Sequence, residues 1–218
     1  MEYVSINGGV YMIDKETAEF LKAHKDWLTS DNYGMDKLYD TYTSEVGLGY
    51  NLTQAFHSMK IDPTQYLHFV PTEFMSGNVS LKRYTIPTNL IEIHSRAFED
   101  CTELYSVKLH DKISYIGMEA FIRCEALKEI ELPPMIDHIA NDVFCECRSL
   151  EKVVIPKNVG LIEGGAFSEC VSLTTIHYLG TTEEFKRDVT LSGTWKIGSD
   201  IKTITCVDGE IKAPNRQN

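Results

Sequence analysis

Apolar side chains recur every 23 residues between about residues 70 and 180 of the chain. A fixed period of this length is typical of a solenoid, in which each unit buries its apolar edge by stacking on its neighbours. We therefore predict a repeat solenoid, mostly β-structure with short turns and helical turns. The recurring positions form four columns: Phe98, Phe121, Phe144 and Phe167; Cys101, Cys124, Cys147 and Cys170; Leu104, Leu127, Leu150 and Leu173; Val107, Ile130, Val153 and Ile176.

Each repeat unit contains two strand patterns and a turn. In the unit that begins at Leu104, Val107 and Leu109 alternate with polar residues, which predicts a strand with these two side chains inward. A second apolar pair, Ile113 and Ile116, predicts a second arm, and the pair Ala120-Phe121 marks a tight turn. The segment 74–87 repeats this pattern imperfectly, so we predict that it is a degenerate first half-coil.

Residues 1–69 contain no copy of the repeat. Two short apolar runs, 3–6 and 10–13, flank Asn7-Gly8-Gly9, which predicts a β-hairpin because these residues accept positive φ. Apolar residues at helical spacing predict a helix that Asp14 caps at its N-terminus and that extends to about Leu28, and a second helix from Leu52 to Lys60. We interpret this region as a small α+β domain that covers the first coil of the solenoid.

The repeat units also identify a family. The segments Leu150-Glu-Lys-Val-Val-Ile-Pro156 and Ile162-Glu-Gly-Gly-Ala-Phe-Ser-Glu-Cys170 resemble the BspA-like type of leucine-rich repeat. The stretch after residue 180, with Trp195, looks like the C-terminal cap of that family, although Phe185 stands where the family usually has Trp. The chain is thus divided into an N-terminal domain (1–69), repeats (70–180) and a C-terminal cap with a short polar tail (181–218).

The composition and charge of the chain argue against nucleic acid and membrane as partners. The chain has 218 residues and a formal charge of −11, and a net-acidic surface repels phosphate, so we expect no nucleic-acid ligand. No run of about 18 apolar residues is present, so no membrane span is expected. The N-terminus lacks a basic segment followed by an apolar stretch, which predicts a cytoplasmic protein with reduced cysteines.

No catalytic or metal-binding arrangement is predicted. The column cysteines should point the same way into the core, which disfavours both disulfides and a tetrahedral metal site. The seven histidines are scattered, and no spacing suggests a Ser/His/Asp or Cys/His arrangement. We therefore expect a non-enzymatic protein without cofactor or metal.

Two surfaces are candidate binding sites. The outward residues of the first strand column make the usual docking face of a leucine-rich solenoid. Its charges alternate from strand to strand, and cross-strand ion pairing would explain them without any partner. The second arm offers a partly apolar column. The candidate partner-binding residues are Arg83, Lys108, Glu129, Glu131, Lys152 and His177 on the first surface, and Tyr115, His138 and Leu161 on the second.

The resemblance implies non-catalytic protein binding. We expect a monomer, or a homodimer formed through the N-terminal end of the solenoid, because an open sheet edge invites another strand. One alternative is an inhibitor of a host defence protein, encoded by a phage or mobile element, that uses an acidic surface. A second is a bacterial or protist surface adhesin. A third is a small N-terminal enzyme with a repeat targeting arm, for which Asp31, Asp36, Asp40 and His57 are the only candidate residues.

Overall fold

The computed structural model describes residues 2–6, 9–13, 15–25, 52–53, 55–56 and 67–214. The chain opens with β1 (Glu2–Ile6) and β2 (Gly9–Ile13), which pair antiparallel as the predicted hairpin. Helix α1 (Lys15–Ala23) follows and ends about one turn earlier than its apolar pattern predicts. The predicted N-cap of this helix, Asp14, lies outside the described residues. So do the four candidate residues of the enzyme hypothesis, Asp31, Asp36, Asp40 and His57.

The N-terminal region shares a hydrophobic core with the first coil. Phe20 and Leu21 of α1 are buried, as are Leu52 and Phe56 in a second helical segment. The rest of the helix predicted from Leu52 to Lys60 lies outside the described residues. All four belong to the same apolar cluster as Val70. The amphipathic face of α1 is therefore satisfied by tertiary packing, which a nine-residue helix needs for its stability.

Two columns of short parallel strands build the solenoid, which confirms the predicted fold. Pairing follows the 23-residue period, so that Val153 lies opposite both Ile130 and Ile176. The first arm comprises β4 (Arg83–Thr85), β6 (Ser106–Lys108), β8 (Glu129–Glu131), β10 (Lys152–Ile155), β12 (Thr175–Tyr178) and β14 (Thr203–Cys206). The second arm comprises β3 (Phe69–Val70), β5 (Glu92–Ile93), β7 (Tyr115–Ile116), β9 (His138–Ile139), β11 (Leu161–Ile162) and β13 (Thr190–Leu191).

The four predicted columns fill the core between the arms. The rings of Phe98, Phe121, Phe144 and Phe167 stack in series, with centroids 5.2–5.7 Å apart and interplanar angles of 2–12°. Beside them each column cysteine is buried and donates its thiol hydrogen to a carbonyl of the preceding coil, as Cys147 does to Phe121 O at 3.2 Å. The column cysteines therefore join successive coils, and all six cysteines of the chain are free.

The C-terminal end closes the solenoid with a modified coil. Helix α2 (Thr182–Asp188) is stabilised by a capping box between Thr181 and Glu184 and buries Phe185. Trp195 packs edge-on against Phe167, with ring centroids 6.2 Å apart, and so ends the phenylalanine stack. Strand β15 (Gly209–Lys212) pairs antiparallel with β14 and forms the last edge of the sheet.

Candidate functional site

The outward face of the first arm is presented by the alternation of its strands. Ile130 and Val153 are buried in the core, whereas their neighbours on the same strands point to solvent. Arg83, Lys108, Glu129, Glu131 and Lys152 are exposed, and His177 is half-buried beside Thr205, whose Oγ1 lies 2.7 Å from its Nδ1. The candidate residues of this face therefore lie on one surface.

The charges at the centre of this face do not form ion pairs. Glu129 lies directly opposite Lys152, and Glu131 opposite Val154. Within the described residues, no salt bridge shorter than 4.0 Å involves Lys108, Glu129, Glu131 or Lys152. Glu129 and Lys152 therefore face each other across the strands as predicted, without forming a direct ion pair. Their charges face solvent and remain available to an external group.

A cleft of about 520 Å³ opens in the same face and is lined by residues of β6, β8 and β10. Its charged lining residues include Lys108, Asp111, Glu129 and Glu131, and Pro133 and Pro134 also line it. Asp111 and the two prolines were not predicted as site residues, because they follow their strands and carry no periodic signal. The cleft combines charges of both signs with backbone groups, and none of its lining residues is aromatic.

The second arm carries a ring column on its surface. His94 stacks on Phe69 at 4.3 Å, and the next rings along the column are Tyr115 and His138, whose centroids lie 5.8 Å apart. Leu161 pairs in register with His138. Tyr115 and Leu161 are each 37% exposed, so this column is partly open to solvent and partly packed against itself.

A third surface, the turn side, holds ion pairs that sequence reasoning missed. Arg96 Nε lies 2.6 Å from Glu119, and Arg123 Nη2 lies 2.8 Å from Asp100. Both pairs join residues one period apart, so opposite charges at 23-residue spacing were the signal. The hydrogen bonds from Arg123 lower the pKa of Asp100. These charges are engaged in holding coils together.

The buried cysteine thiols are poorly reactive. Desolvation raises the pKa of Cys101 and that of Cys170 to about 12, and it raises the pKa of the half-buried Cys145 to about 11. Thiolates are the reactive form, so these side chains are poor nucleophiles at neutral pH. Among the described residues no group of three or more His, Cys, Asp or Glu side chains is placed to bind a metal ion. None of the described helices is long and apolar enough to span a lipid bilayer.

The comparisons with known proteins agree with this architecture. The family model of the BspA type leucine-rich repeat region matches residues 70–190 with 6 copies. A leucine-rich repeat protein of T. pallidum is 31% identical to the chain, with a TM-score of 0.50; the match covers 60% of this chain and 64% of that one. A leucine-rich cell surface protein of Faecalibacterium prausnitzii is also 31% identical, with a TM-score of 0.43, over 51% of this chain and 36% of its own. The chain thus spans less than two thirds of the length of either protein, and no curated protein matches it.

Proposed function

The chain belongs to the BspA-type leucine-rich repeat family, and from that premise we propose that it is a non-catalytic module that binds a protein partner through the outward face of its first arm. The solenoid holds this face rigidly, because buried columns and thiol hydrogen bonds fix each coil on the next. Extended faces of stacked repeats are suited to recognition rather than to enclosing a substrate.

One observation carries the choice of this face: its central charges are exposed and not paired with one another. On the turn side, by contrast, Arg96 and Arg123 are already engaged by carboxylates of neighbouring coils. Unpaired surface charges of both signs favour a partner with a complementary pattern, and they contribute more to specificity and association rate than to affinity. A protein surface meets this requirement.

The test is affinity capture from native lysate with three forms of the purified protein. The double variant E129K/E131K reverses the two charges at the centre of the face. The double variant E183K/D200K is the matched control, because Glu183 and Asp200 are exposed in the C-terminal cap and the net charge changes equally. We expect one or more proteins to bind the wild type and the control but not E129K/E131K. A bound protein retained equally by all three forms would refute the assignment of this face.

The ring column of the second arm is the alternative surface. Tyr115 and Leu161 offer the aromatic and aliphatic anchors that the first face lacks, and such residues dominate many interfaces. The variant Y115A in the same capture experiment discriminates the two surfaces. Loss of the partner with Y115A, together with its retention by E129K/E131K, would move the site to the second arm.

The salt dependence of partner binding distinguishes the inhibitor hypothesis from recognition through packing and hydrogen bonds. An acidic surface that occupies a basic groove loses affinity as ionic strength rises, because exposed charges are screened within about 10 Å at 0.1 M salt. A partner that is basic, and that elutes when salt is raised, would support an acidic-surface inhibitor. A partner that remains bound in concentrated salt would favour recognition through packing and hydrogen bonds.

A further inference from the structure

The sheet of the first arm ends in a strand whose outer edge is open. β15 pairs with β14 on one side, and within the described residues no strand pairs with its other side. Unlike the other strands of this sheet it runs antiparallel to its neighbour, because the turn Val207-Asp208 reverses the chain. An open edge presents backbone donors and acceptors in a row, which makes it a template for pairing with another strand.

The backbone groups of Glu210 and Lys212 point to the open edge of β15. Ala213 N donates to the carbonyl of Lys202, the residue before β14, at 2.8 Å, so this N–H is directed to the paired side. Successive residues of a strand direct their N–H and C=O groups to opposite sides. Ile211 therefore bonds to β14, whereas Glu210 and Lys212 each present an N–H and a C=O to the open edge.

The side chains of β15 continue the two faces of the sheet. Ile211 lies opposite the buried Ile204 and packs against the core. Glu210 lies opposite Thr205 on the outward face. Glu210 and Lys212 are exposed, and within the described part of the chain neither forms a salt bridge. The edge thus carries one apolar side chain on the core side, flanked by two opposite charges on the outward side.

Helix α2 holds the hairpin at its turn. Thr182 N donates to Asp208 Oδ1 at 2.8 Å, and the Thr182 methyl carbon lies 3.8 Å from the position of a Cβ atom added at Gly209. These contacts lie at the start of β15, before Glu210 and Lys212. The strand is therefore anchored by its own chain, and its exposed residues are held in an extended conformation before any partner binds.

The charges of β15 are self-complementary in one antiparallel register. When two copies pair edge to edge about a two-fold axis at Ile211, Glu210 of each copy lies opposite Lys212 of the other. The open backbone groups of these same residues then meet as hydrogen-bonded pairs, and the two Ile211 side chains meet as the closer, non-hydrogen-bonded pair. Moving the axis by one residue would place Glu210 opposite Glu210 or Lys212 opposite Lys212, which is unfavourable.

The first strand of the same arm lacks this complementarity. No described strand pairs with the outer side of β4, whose residues are Arg83, Tyr84 and Thr85. A two-fold axis at Tyr84 would place Arg83 opposite Thr85, and an axis at Arg83 would bring two guanidinium groups together. Self-pairing at β15 is therefore favoured over the homodimer expected at the N-terminal end of the solenoid.

We propose that two copies of the chain associate through antiparallel pairing of their β15 strands, with Glu210 of each copy bonded to Lys212 of the other. The pairing joins the two five-stranded sheets, so the outward faces of the two first arms lie side by side. A two-fold axis of this kind gives a closed dimer rather than a chain of molecules. The interface consists of one short strand from each copy and is smaller than that of a permanent dimer, so association is reversible and depends on protein concentration.

Sedimentation velocity over a concentration series tests the association. We expect the wild type to form dimers with a dissociation constant between about 1 μM and 1 mM. E210K places lysine opposite lysine and K212E places glutamate opposite glutamate, so each should dimerise at least about tenfold more weakly. E151K changes the net charge as E210K does, at an exposed residue before β10, and should dimerise like the wild type. A wild type that stays monomeric throughout, or a dimer unchanged in both E210K and K212E, would overturn the proposal.

Charge exchange separates strand pairing from other effects of the substitutions. E210K/K212E restores opposite charges in the same register, so this double variant should dimerise like the wild type. An equimolar mixture of E210K and K212E should form a heterodimer, because every charged contact then joins a lysine to a glutamate. The melting temperatures of the single variants should match that of the wild type, since both side chains are exposed. Failure of both the double variant and the mixture to dimerise would overturn the register.

This inference is independent of the proposed function and is tested separately from it. E129K/E131K, which disrupts the proposed binding face, changes β8 at the opposite edge of the five-stranded sheet from β15. It should therefore dimerise like the wild type even where it no longer binds a partner. Loss of the dimer in E129K/E131K, with the dimer retained in E210K, would place self-association on the first-arm face and overturn pairing through β15.

Discussion

Individual charged residues join the coils at the turn side. Asp100 accepts hydrogen bonds from Nε and Nη2 of Arg123, one period further along the chain. Both side chains are partly exposed, so the pair contributes little in absolute terms. The pair nevertheless stabilises the ionised form of Asp100, so its contribution to the stability of the fold depends on pH.

We expect D100N to be less stable than the wild type by about 0.5–1 kcal/mol at neutral pH. The pKa of Asp100 is lowered in the folded protein, so its stabilisation is complete above the pKa of the unfolded chain, about 3.9, and disappears as pH falls through the lower folded value. Urea unfolding of both proteins across this range measures the difference. D200N, at an exposed loop residue, should match the wild type throughout; a D100N deficit that persists in acid would contradict the account.

Thiol reactivity provides a second prediction at the residue scale. Cys101, Cys124, Cys147 and Cys170 are fully buried, whereas Cys145 and Cys206 are half-buried. In the native protein at pH 8, a thiol reagent such as DTNB should react slowly with at most those two, and in denaturant with all six. Rapid native labelling of a column cysteine would show that the column is not packed as described.

Most of the residue-scale core could be predicted from the sequence. The phenylalanine column that begins with Phe98 and Phe121 repeats every 23 residues, and the same pattern in every unit predicts that each member is buried. The unpaired charges of the face could not be predicted. Glu129 and Lys152 lie opposite each other as expected, but long exposed side chains gain little from pairing and remain in water.

At the scale of elements, the cap of α2 is held by a local interaction. Thr181 Oγ1 accepts a hydrogen bond from Glu184 N, and the Glu184 carboxylate accepts one from Thr181 N at 2.7 Å. We expect T181A to lower the free energy of unfolding by about 1 kcal/mol. T88A, the same substitution at an exposed turn residue, serves as the control for losing a threonine side chain. Equal stability of T181A and T88A in thermal unfolding would argue against the capping box.

Strand positions were predicted well and strand pairing less well. The alternation at Val107 and Ile130 correctly separates inward from outward residues. The alternation does not show whether two successive strands pair, because pairing depends on the spacing between their coils. The absence of a ladder between β6 and β8 could not be predicted, because Lys112 and Met135 both replace the asparagine of other units, such as Asn158, yet the coil of Lys112 pairs with the coil before it.

The whole molecule behaves as a one-dimensional stack with two different ends. Family membership and the solenoid follow directly from the 23-residue period, because each coil contacts mainly its neighbours. Residues 1–69 lie outside the family match. Less of their structure could be predicted, because their sequence pattern does not recur from unit to unit. The function proposed for the whole molecule depends on the one long face that stacking creates.

Hydrogen–deuterium exchange of the protein with and without its captured partner tests that claim most directly. We predict slower exchange in the complex over β6, β8 and β10, which carry Lys108, Glu129, Glu131 and Lys152, with little change over the turns at Arg96 and Arg123. Protection confined to the turn side, to the second arm or to residues 1–69 would contradict recognition through the face of the first arm.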